Sequence, residues 1–273
     1  MPDKDSSLAS LEGKVAVVTG GSRGIGRSIC LGLSSQGVKV VVASRTETDT
    51  SANTPYEKYG SGTIGDTLER IEEQGGSGIA VKCDVSQADD IQRLVATTLD
   101  YFGRIDILVS NAGIDCESPV VDMEIEDLDR CLAVNIRGPL LLCKFALPAM
   151  IASGTSSVSG GSIFCITSGA ARGYRLGRVG YSMSKAALDR MFLSLAEEVR
   201  EHNIAVNVLS PGRVDTWMNR RGDWPGTAHI PMAEPDEIIP AAIWLAGQSA
   251  KSFTGQLIER ADFGKTWGLQ PTL

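Results

Sequence analysis

The chain of 273 residues has few histidines, no closely spaced pair of cysteines and no excess of positive charge. Its six cysteines form no CxxC pair and no cluster with the two histidines, which argues against a zinc ribbon or a disulfide framework. We expect buried thiols in a reducing compartment instead. Lys and Arg number 26 against 33 Asp and Glu, and the resulting charge of −7 disfavours a nucleic acid partner. A metal site is not predicted.

The sequence also lacks a long uninterrupted apolar run. The longest, residues 138–152, contains Pro139, Lys144 and Pro148, and we expect it to be too short and too broken to span a bilayer. The first eleven residues lack the apolar core of a signal peptide. These features predict a soluble cytoplasmic protein without membrane contacts, with a disordered tail over residues 1–12 and one domain over residues 13–273.

Short apolar runs alternate with amphipathic helical patterns along the chain, which predicts the α/β class with a doubly wound, mostly parallel sheet. Nearly continuous hydrophobic strands are typical of a sheet covered on both faces. The predicted strands are 14–19, 38–43, 79–83, 105–110, 162–167, 204–210 and 256–259. The predicted helices are 24–36, 65–74, 87–102, 125–152, 181–202 and 236–247.

Three segments interrupt this alternation. Residues 44–63 are polar and longer than most connections, so we expect an ordered cover for a ligand or a mobile insertion. Residues 154–161 are a connector rich in Gly and Ser. Residues 211–235 carry Trp217, Met218, Trp224 and Met232, which predicts either a loop folded over an apolar ligand or packing on the body or a partner subunit.

A glycine-rich turn follows the first predicted strand and precedes a helix. Such a turn lets the backbone approach a ligand, and the helix start offers N–H groups and partial positive charge to a pyrophosphate. A rival interpretation exists, because Gly21–Ser28 is one residue short of a P-loop and has Arg27 in place of the required lysine. The later motifs favour the dinucleotide interpretation.

The order Thr19-Gly20-xxx-Gly24-x-Gly26 resembles the TGxxxGxG turn of the short-chain dehydrogenase/reductase family, and the resemblance extends over about residues 13–264. Further family motifs appear in order as Asp84-Val85, Asn111-Ala112-Gly113, Asn135, Ser168, Tyr181-xxx-Lys185, and Pro211-Gly212 with Thr216. The resemblance implies a Rossmann-type single domain. It places a nicotinamide cofactor against Gly20, Ser22, Arg23, Gly24, Ile25, Gly26, Ser44, Arg45, Asp84, Val85, Asn111, Ala112, Gly113, Tyr181, Lys185, Pro211, Gly212, Val214 and Thr216.

The same resemblance implies four catalytic residues. Tyr181 and Lys185 are four apart on a predicted helix and share a face, so an ammonium stands near the phenol that exchanges a proton with the substrate. Ser168 is placed to hydrogen-bond the substrate oxygen. Asn135 is implied to hold a water that connects Lys185 to solvent. Taken singly, each has a structural alternative: a half-buried tyrosine, a strand-end serine, and an asparagine that caps or bends its helix.

The second strand ends in Ala43-Ser44-Arg45 rather than in the acidic residue that binds the ribose 2′-hydroxyl in NAD enzymes. Arg45 and Arg23 suit a 2′-phosphate, which favours NADP(H). The alternative is that Arg45 is a solvated charge and Glu47 binds the 2′-hydroxyl of NAD(H).

The predicted function is therefore hydride transfer between NADP(H) and a ketone or secondary alcohol on an apolar cyclic, steroid-like, aromatic or acyl body. A non-catalytic NADP-binding regulator or scaffold is the alternative, and a P-loop NTPase is a third. Between Ser168 and Tyr181, where family members line the pocket, lie Arg172, Arg175 and Arg178. They either receive an anionic tail of the substrate or meet solvent, and we expect solvent. The family implies a homo-tetramer or homo-dimer built on the 125–152 and 181–202 helices. The family's C-terminal Asp-Gly-Gly is reduced to Asp262 and Gly264.

Overall fold

The computed structural model of the chain describes residues 10–48, 62–154, 160–221 and 231–268. Within them lies one sheet of seven parallel strands in the order β3-β2-β1-β4-β5-β6-β7. The strands are β1 (Val15–Thr19), β2 (Lys39–Ser44), β3 (Gly78–Lys82), β4 (Ile107–Ser110), β5 (Gly161–Ile166), β6 (Ile204–Ser210) and β7 (Leu257–Glu259). The predicted α/β class and single sheet are confirmed, and all pairings are parallel.

Helices cover both faces of the sheet, because alternate residues of each strand bury apolar side chains on opposite sides. In β1, Val15 and Val17 face one core, while Ala16 and Val18 face the other. The helices are α1 (Gly24–Ser34), α2 (Ile64–Glu73), α3 (Ala88–Phe102), α4 (Ile125–Leu132), α5 (Gly138–Gly154), α6 (Val179–Glu198), α7 (Trp217–Arg221) and α8 (Ile239–Ala246). The first core packs under α3, α5 and α6, and the second under α1, α2 and α8.

The predicted 125–152 helix is divided in the structure. Helices α4 and α5 are joined by one wide π-helical turn, Ala133–Arg137. The stretch Ile125–Ser153 is the one described helical segment long and apolar enough to cross a membrane by length and composition. Leu142, Cys143, Ala146 and Met150 pack in the first core. It is therefore a core helix, although only part of it is buried.

Some predictions fall outside the described residues or need correction. Residues 1–9 of the predicted tail, 49–61 of the long polar segment, 155–159 of the connector, and 222–230 with Trp224 lie outside them. Leu11 is buried in the second core, so the packed chain begins earlier than residue 13. All six cysteines are free and buried, as predicted.

The candidate site lies where the topology reverses. The chain leaves β3 at one edge and returns to the middle of the sheet as β4, beside β1. The connections after β1 and β4 lead to helices on opposite faces of the sheet, α1 on one and α5 on the other, and open α/β sheets bind ligands in the crevice outside the carboxyl edge at such a point.

Candidate active site

The glycine turn after β1 is held against the loop after β4. Asn111 Nδ2 donates to the carbonyl oxygens of Thr19 at 2.9 Å and Gly20 at 3.2 Å. Thr19 Oγ1 accepts the backbone N–H groups of Asn111 at 3.1 Å and Ala112 at 3.2 Å. A methyl group at Gly26 would stand 2.5 Å from Asn111 Nδ2. Only glycine lets these two loops approach so closely.

The start of α1 has the properties of an anion site. Arg23 is the N-cap and makes no side-chain hydrogen bond to the first turn, so it satisfies none of the N–H groups that the start of a helix leaves without an intrahelical partner. Gly24 has a φ of +53°, which favours glycine. Arg27, at the position of a P-loop lysine, is buried and donates to the Ser22 carbonyl at 2.5 Å and to Thr67 Oγ1 at 3.0 Å. The residues fit a dinucleotide pyrophosphate better than an NTP.

Two arginines meet beside the end of β2. Burial, and then the nearby charge of Arg45, lowers the pKa of Arg23. Arg45 Nη1 is 3.8 Å from a carboxylate oxygen of Asp84. Ser22 Oγ donates to Ser44 Oγ at 3.2 Å, so the glycine turn and β2 meet here. The rival ligand Glu47 is instead paired with Lys82 Nζ at 2.6 Å.

Asn135 sits in the wide turn between α4 and α5 and is fully buried. Its Oδ1 accepts the Ile114 N–H, and its Nδ2 donates to the Ile114 carbonyl, both at 2.9 Å. Nδ2 also donates to Ser184 Oγ at 2.9 Å, next to Lys185. π-Helical turns of this kind are frequent at functional sites. The side chain thus connects the loop after β4 to α6.

Tyr181 and Lys185 are both buried on α6, one turn apart. Lys185 Nζ lies 5.8 Å from the Tyr181 ring centroid and donates to the Ile166 carbonyl at 2.9 Å. A methyl group at Gly113 would stand 3.5 Å from Lys185 Nζ and 3.4 Å from Asn135 Oδ1. The structure therefore brings Lys185 and Asn135 together beside Gly113, with Tyr181 one turn before Lys185 on the same helix.

Ser168 lies just after β5, at the same edge, and its Oγ accepts the Ala170 N–H at 3.2 Å. The preceding residue, Thr167, donates its hydroxyl to Asp189 on α6. Arg172 Nη1 donates to the other Asp189 oxygen at 2.9 Å, and its Nη2 binds Glu259. Burial raises the pKa of Asp189, opposed by Thr167 and Arg172. Asp189 thus fixes the residues on both sides of Ser168.

Replacing Asp189 with Ala is expected to lower the free energy of unfolding by about 2 kcal/mol, because Arg172 and Thr167 would lose a shared, largely buried partner. Urea denaturation measures this loss. The neighbouring exposed residue offers a control, since Arg190→Ala removes no such contact. An Asp189→Ala protein as stable as Arg190→Ala would show that the cluster does not fix this segment.

The loop after β6 carries the remaining predicted cofactor residues. The Pro211 carbonyl accepts from Arg260 Nε at 2.9 Å, and Gly212 has a φ of +74°. Val214 is buried and bridges to Ala233. The side chain of Thr216 faces Gly24 across the crevice, where a methyl group on Gly24 would stand 3.3 Å from it. Of the other predicted contacts, Ile25 packs against the second core and Val85 is buried in the first.

The expectation that the three arginines before Tyr181 meet solvent is wrong for Arg178 only, because Arg172 is exposed even though it is paired. Arg178 is buried and pairs with Asp115, while Arg172 pairs with Asp189 and Glu259. Arg175 is exposed, as expected. The carboxylates that pair with these arginines are distant in sequence, so the local charge run alone does not reveal them. Within the described ranges, no group of three His, Cys, Asp or Glu is placed to hold a metal ion.

Comparison with known proteins identifies the architecture. The family described as short chain dehydrogenase matches residues 14–223, which is most of the chain. The protein belongs to the short-chain dehydrogenase/reductase family. It is accordingly an NAD(P)-dependent oxidoreductase that acts on CH–OH groups and the corresponding ketones.

Individual relatives of this short-chain dehydrogenase differ in substrate and cofactor. A 3-oxoacyl-[acyl-carrier-protein] reductase of Synechocystis sp. is 33% identical over 91% of this chain and 96% of its own. A 7α-hydroxysteroid dehydrogenase complexed with NADH and 7-oxo glycochenodeoxycholic acid has a TM-score of 0.78 and 27% identity, covering 93% and 95%. A metagenomic short-chain oxidoreductase in complex with NADP has a TM-score of 0.73 and 32% identity, covering 92% and 98%.

Ser184 and Asp189 order the site but belong to none of the motifs, and the role of Thr19 goes beyond its place in the glycine-turn motif. Thr19 aligns Asn111 and Ala112, Ser184 accepts from Asn135, and Asp189 supports the Ser168 segment. The positions of these two residues on α6 could have revealed them, because Ser184 lies one residue before Lys185 and Asp189 lies four residues after it. No pattern in the sequence pairs Asp115 with Arg178.

Proposed function

We propose that this short-chain dehydrogenase transfers a hydride between NADP(H) and a ketone or secondary alcohol, with Tyr181 exchanging the proton. The observation that carries the proposal is the burial of Tyr181 and Lys185 one turn apart on α6, with Lys185 Nζ and Asn135 Oδ1 both beside Gly113 in the loop after β4. A non-catalytic regulator on the same fold would not need an ammonium and a phenol buried together at this edge.

The nicotinamide cofactor, when bound, supplies or accepts the hydride. In ketone reduction Tyr181 donates its phenolic proton to the substrate oxygen, while Ser168 Oγ donates a hydrogen bond to the same oxygen. Lys185 has three donors, of which one is used on Ile166, and its charge favours the phenolate that forms. The proton returns by way of Lys185 and a water that Asn135 helps to position. Alcohol oxidation reverses these steps.

The two arginines at the end of β2 support NADP(H) over NAD(H). Arg23 and Arg45 are close enough to repel, and a 2′-phosphate between them would relieve that repulsion and accept their N–H groups. Glu47, the ligand of the NAD(H) alternative, forms an exposed ion pair with Lys82. Relatives bind either cofactor, so the preference is read from this chain's own residues.

Arg45→Asp is expected to weaken NADPH binding by roughly 10- to 100-fold and to affect NADH much less, since one charge-assisted contact is lost and an anion is added. Titration of each cofactor by fluorescence gives the two dissociation constants. Lys251→Asp places the same negative charge on a distant exposed turn and serves as the control. An Arg45→Asp protein that keeps its preference for NADPH would contradict this assignment.

The loop over residues 211–235 supports an apolar substrate body, because Trp217 and Met218 are half-buried beside the crevice. Trp217 also lies under Arg23, whose Cζ is 5.6 Å from the indole ring. The test is NADPH consumption, followed by absorbance, with a panel of steroid, cyclic, aromatic and acyl ketones. Turnover of one of these classes supports the proposal, and turnover of small polar sugars alone contradicts the apolar assignment.

We also propose a cytoplasmic homo-tetramer or homo-dimer that associates through α4, α5 and α6. These helices present exposed apolar side chains, including Ile125, Leu140 and Met183. Light scattering distinguishes such an assembly from a monomer of 29.0 kDa.

A further inference from the structure

A second cation, besides Lys185, lies against the proposed proton donor. Arg178 is three residues before Tyr181, and its Cζ stands 4.4 Å from the centroid of the Tyr181 ring. Lys185 Nζ is farther, at 5.8 Å. The guanidinium is nearly enclosed, with 11% of its side chain exposed. A cation held over an aromatic face in so dry a place interacts strongly with the ring.

The guanidinium is held by a carboxylate from another part of the chain. Arg178 Nε donates to Asp115 Oδ1 at 3.2 Å, and its Nη2 donates to Oδ2. Asp115 Oδ1 also accepts the Cys116 N–H at 2.9 Å, which fixes the carboxylate. Asp115 follows Ile114, the residue bound by Asn135. The ion pair therefore joins the loop after β4 to the start of α6, directly beside Tyr181.

Burying this ion pair has an unfavourable hydration free energy, so stability alone does not explain why the pair is present. Two charges withdrawn from water lose hydration, and such pairs seldom add much stability over an apolar replacement. The two charges have opposite electrostatic effects on the Tyr181 side chain. The cation lies over the ring and favours a phenolate more than a neutral phenol, and the carboxylate at the edge of the guanidinium offsets part of that charge.

We propose that Arg178 and Asp115 are a positioning pair that orients the Tyr181 ring and sets the pH at which Tyr181 accepts the substrate proton. The inference rests on the proposed role of Tyr181 as acid and base. Arg178 holds the ring from one side and Lys185 supplies the second cation, while Asp115 offsets part of the positive charge beside the ring.

The other titratable and charged groups near Tyr181, apart from Lys185, are neutral, exposed or paired with one another. Lys185 is on the same helix, and Cys116 and Cys131 belong to the same buried cluster as Tyr181. Burial raises the pKa of both thiols, which are therefore neutral at ordinary pH. The remaining charges are exposed or already paired, namely Asp127 with Arg130 on α4 and Arg172 with Asp189.

The two partners should shift the pH dependence in opposite directions. In Arg178→Gln the half-maximal pH of kcat/KM for alcohol oxidation should rise by about one unit, because the cation beside the ring is lost. In Asp115→Asn it should fall by a smaller amount, because the cation is left uncompensated. Arg178→Lys keeps a positive charge and should restore much of the midpoint, which separates charge from packing and covers a poorly folded Gln variant. Arg175→Gln, on the exposed part of the same segment, is the control and should leave the midpoint unchanged.

Loss of activity with no change in midpoint, or shifts of the same sign in both variants, would overturn the inference and leave the pair a structural clamp. Tyr181→Phe measured alongside keeps the two claims separate. A Tyr181→Phe protein with full activity contradicts the proposed function, whereas an inactive one combined with unmoved midpoints contradicts only the role of the pair.

Discussion

Tyr181→Phe is expected to lower kcat by about 10²- to 10⁴-fold while leaving cofactor binding unchanged, because only the hydroxyl that transfers the proton is removed. The ring remains to pack beside Arg178 and in the small cluster with Ala170 and the buried thiols, so the fold should not change. Steady-state turnover of a reactive ketone with NADPH measures the loss, and fluorescence titration measures the binding.

The chain contains a matched control for this substitution. Tyr174 lies on the segment before α6 and is fully exposed, so Tyr174→Phe removes the same hydroxyl away from the crevice. We expect wild-type kcat there. If Tyr181→Phe turned over as fast as Tyr174→Phe, the proton would have to come from another group, and the arrangement of Tyr181 beside Lys185 would have no catalytic role.

Gly26→Ala is expected to weaken cofactor binding by roughly 10- to 100-fold, since overpacking of this kind costs about 1–3 kcal/mol. The added methyl group would stand 2.5 Å from Asn111 Nδ2 and nearer still to the Gly20 carbonyl oxygen. Backbone rather than a flexible side chain must then move, and the turn that faces the pyrophosphate moves with it.

Gly65→Ala makes the same chemical change at an exposed position of α2, where the nearest atom to the new methyl group is 3.7 Å away. This control should bind NADPH as the wild type does and should be slightly more stable, because alanine favours the helix. Equal cofactor affinity in the Gly26 and Gly65 variants would show that the close approach of the two loops does not shape the binding crevice.

The parallel sheet follows from the sequence because its signals are local and repeated. Each strand is a short apolar run bounded by turn residues, and the alternation with helices leaves few topologies open. Residues such as Gly20, Asn111, Tyr181 and Lys185 are also marked by motifs that resemble a known family. Their place at one edge of the sheet is what the alternation of elements predicts.

What the sequence does not predict depends on long-range contacts. Arg178 is one of three arginines in a polar segment, and solvent exposure is the ordinary expectation for it. Its burial depends on Asp115, 63 residues earlier in the chain. The wide turn at Asn135 similarly depends on Ile114 and Ser184 from two other elements, so helical periodicity alone continues straight through it.

The central claim is that the crevice between β1 and β4 is an NADP(H) site whose phosphate end is formed by Arg23 and Arg45. Energy transfer from tryptophan to NADPH and to NADH, titrated separately against the purified protein, tests it most directly. The account predicts saturable binding of both, with NADPH tighter by at least about tenfold. Tighter binding of NADH would contradict the assignment of the two arginines, and binding of neither by the folded protein would contradict the site itself.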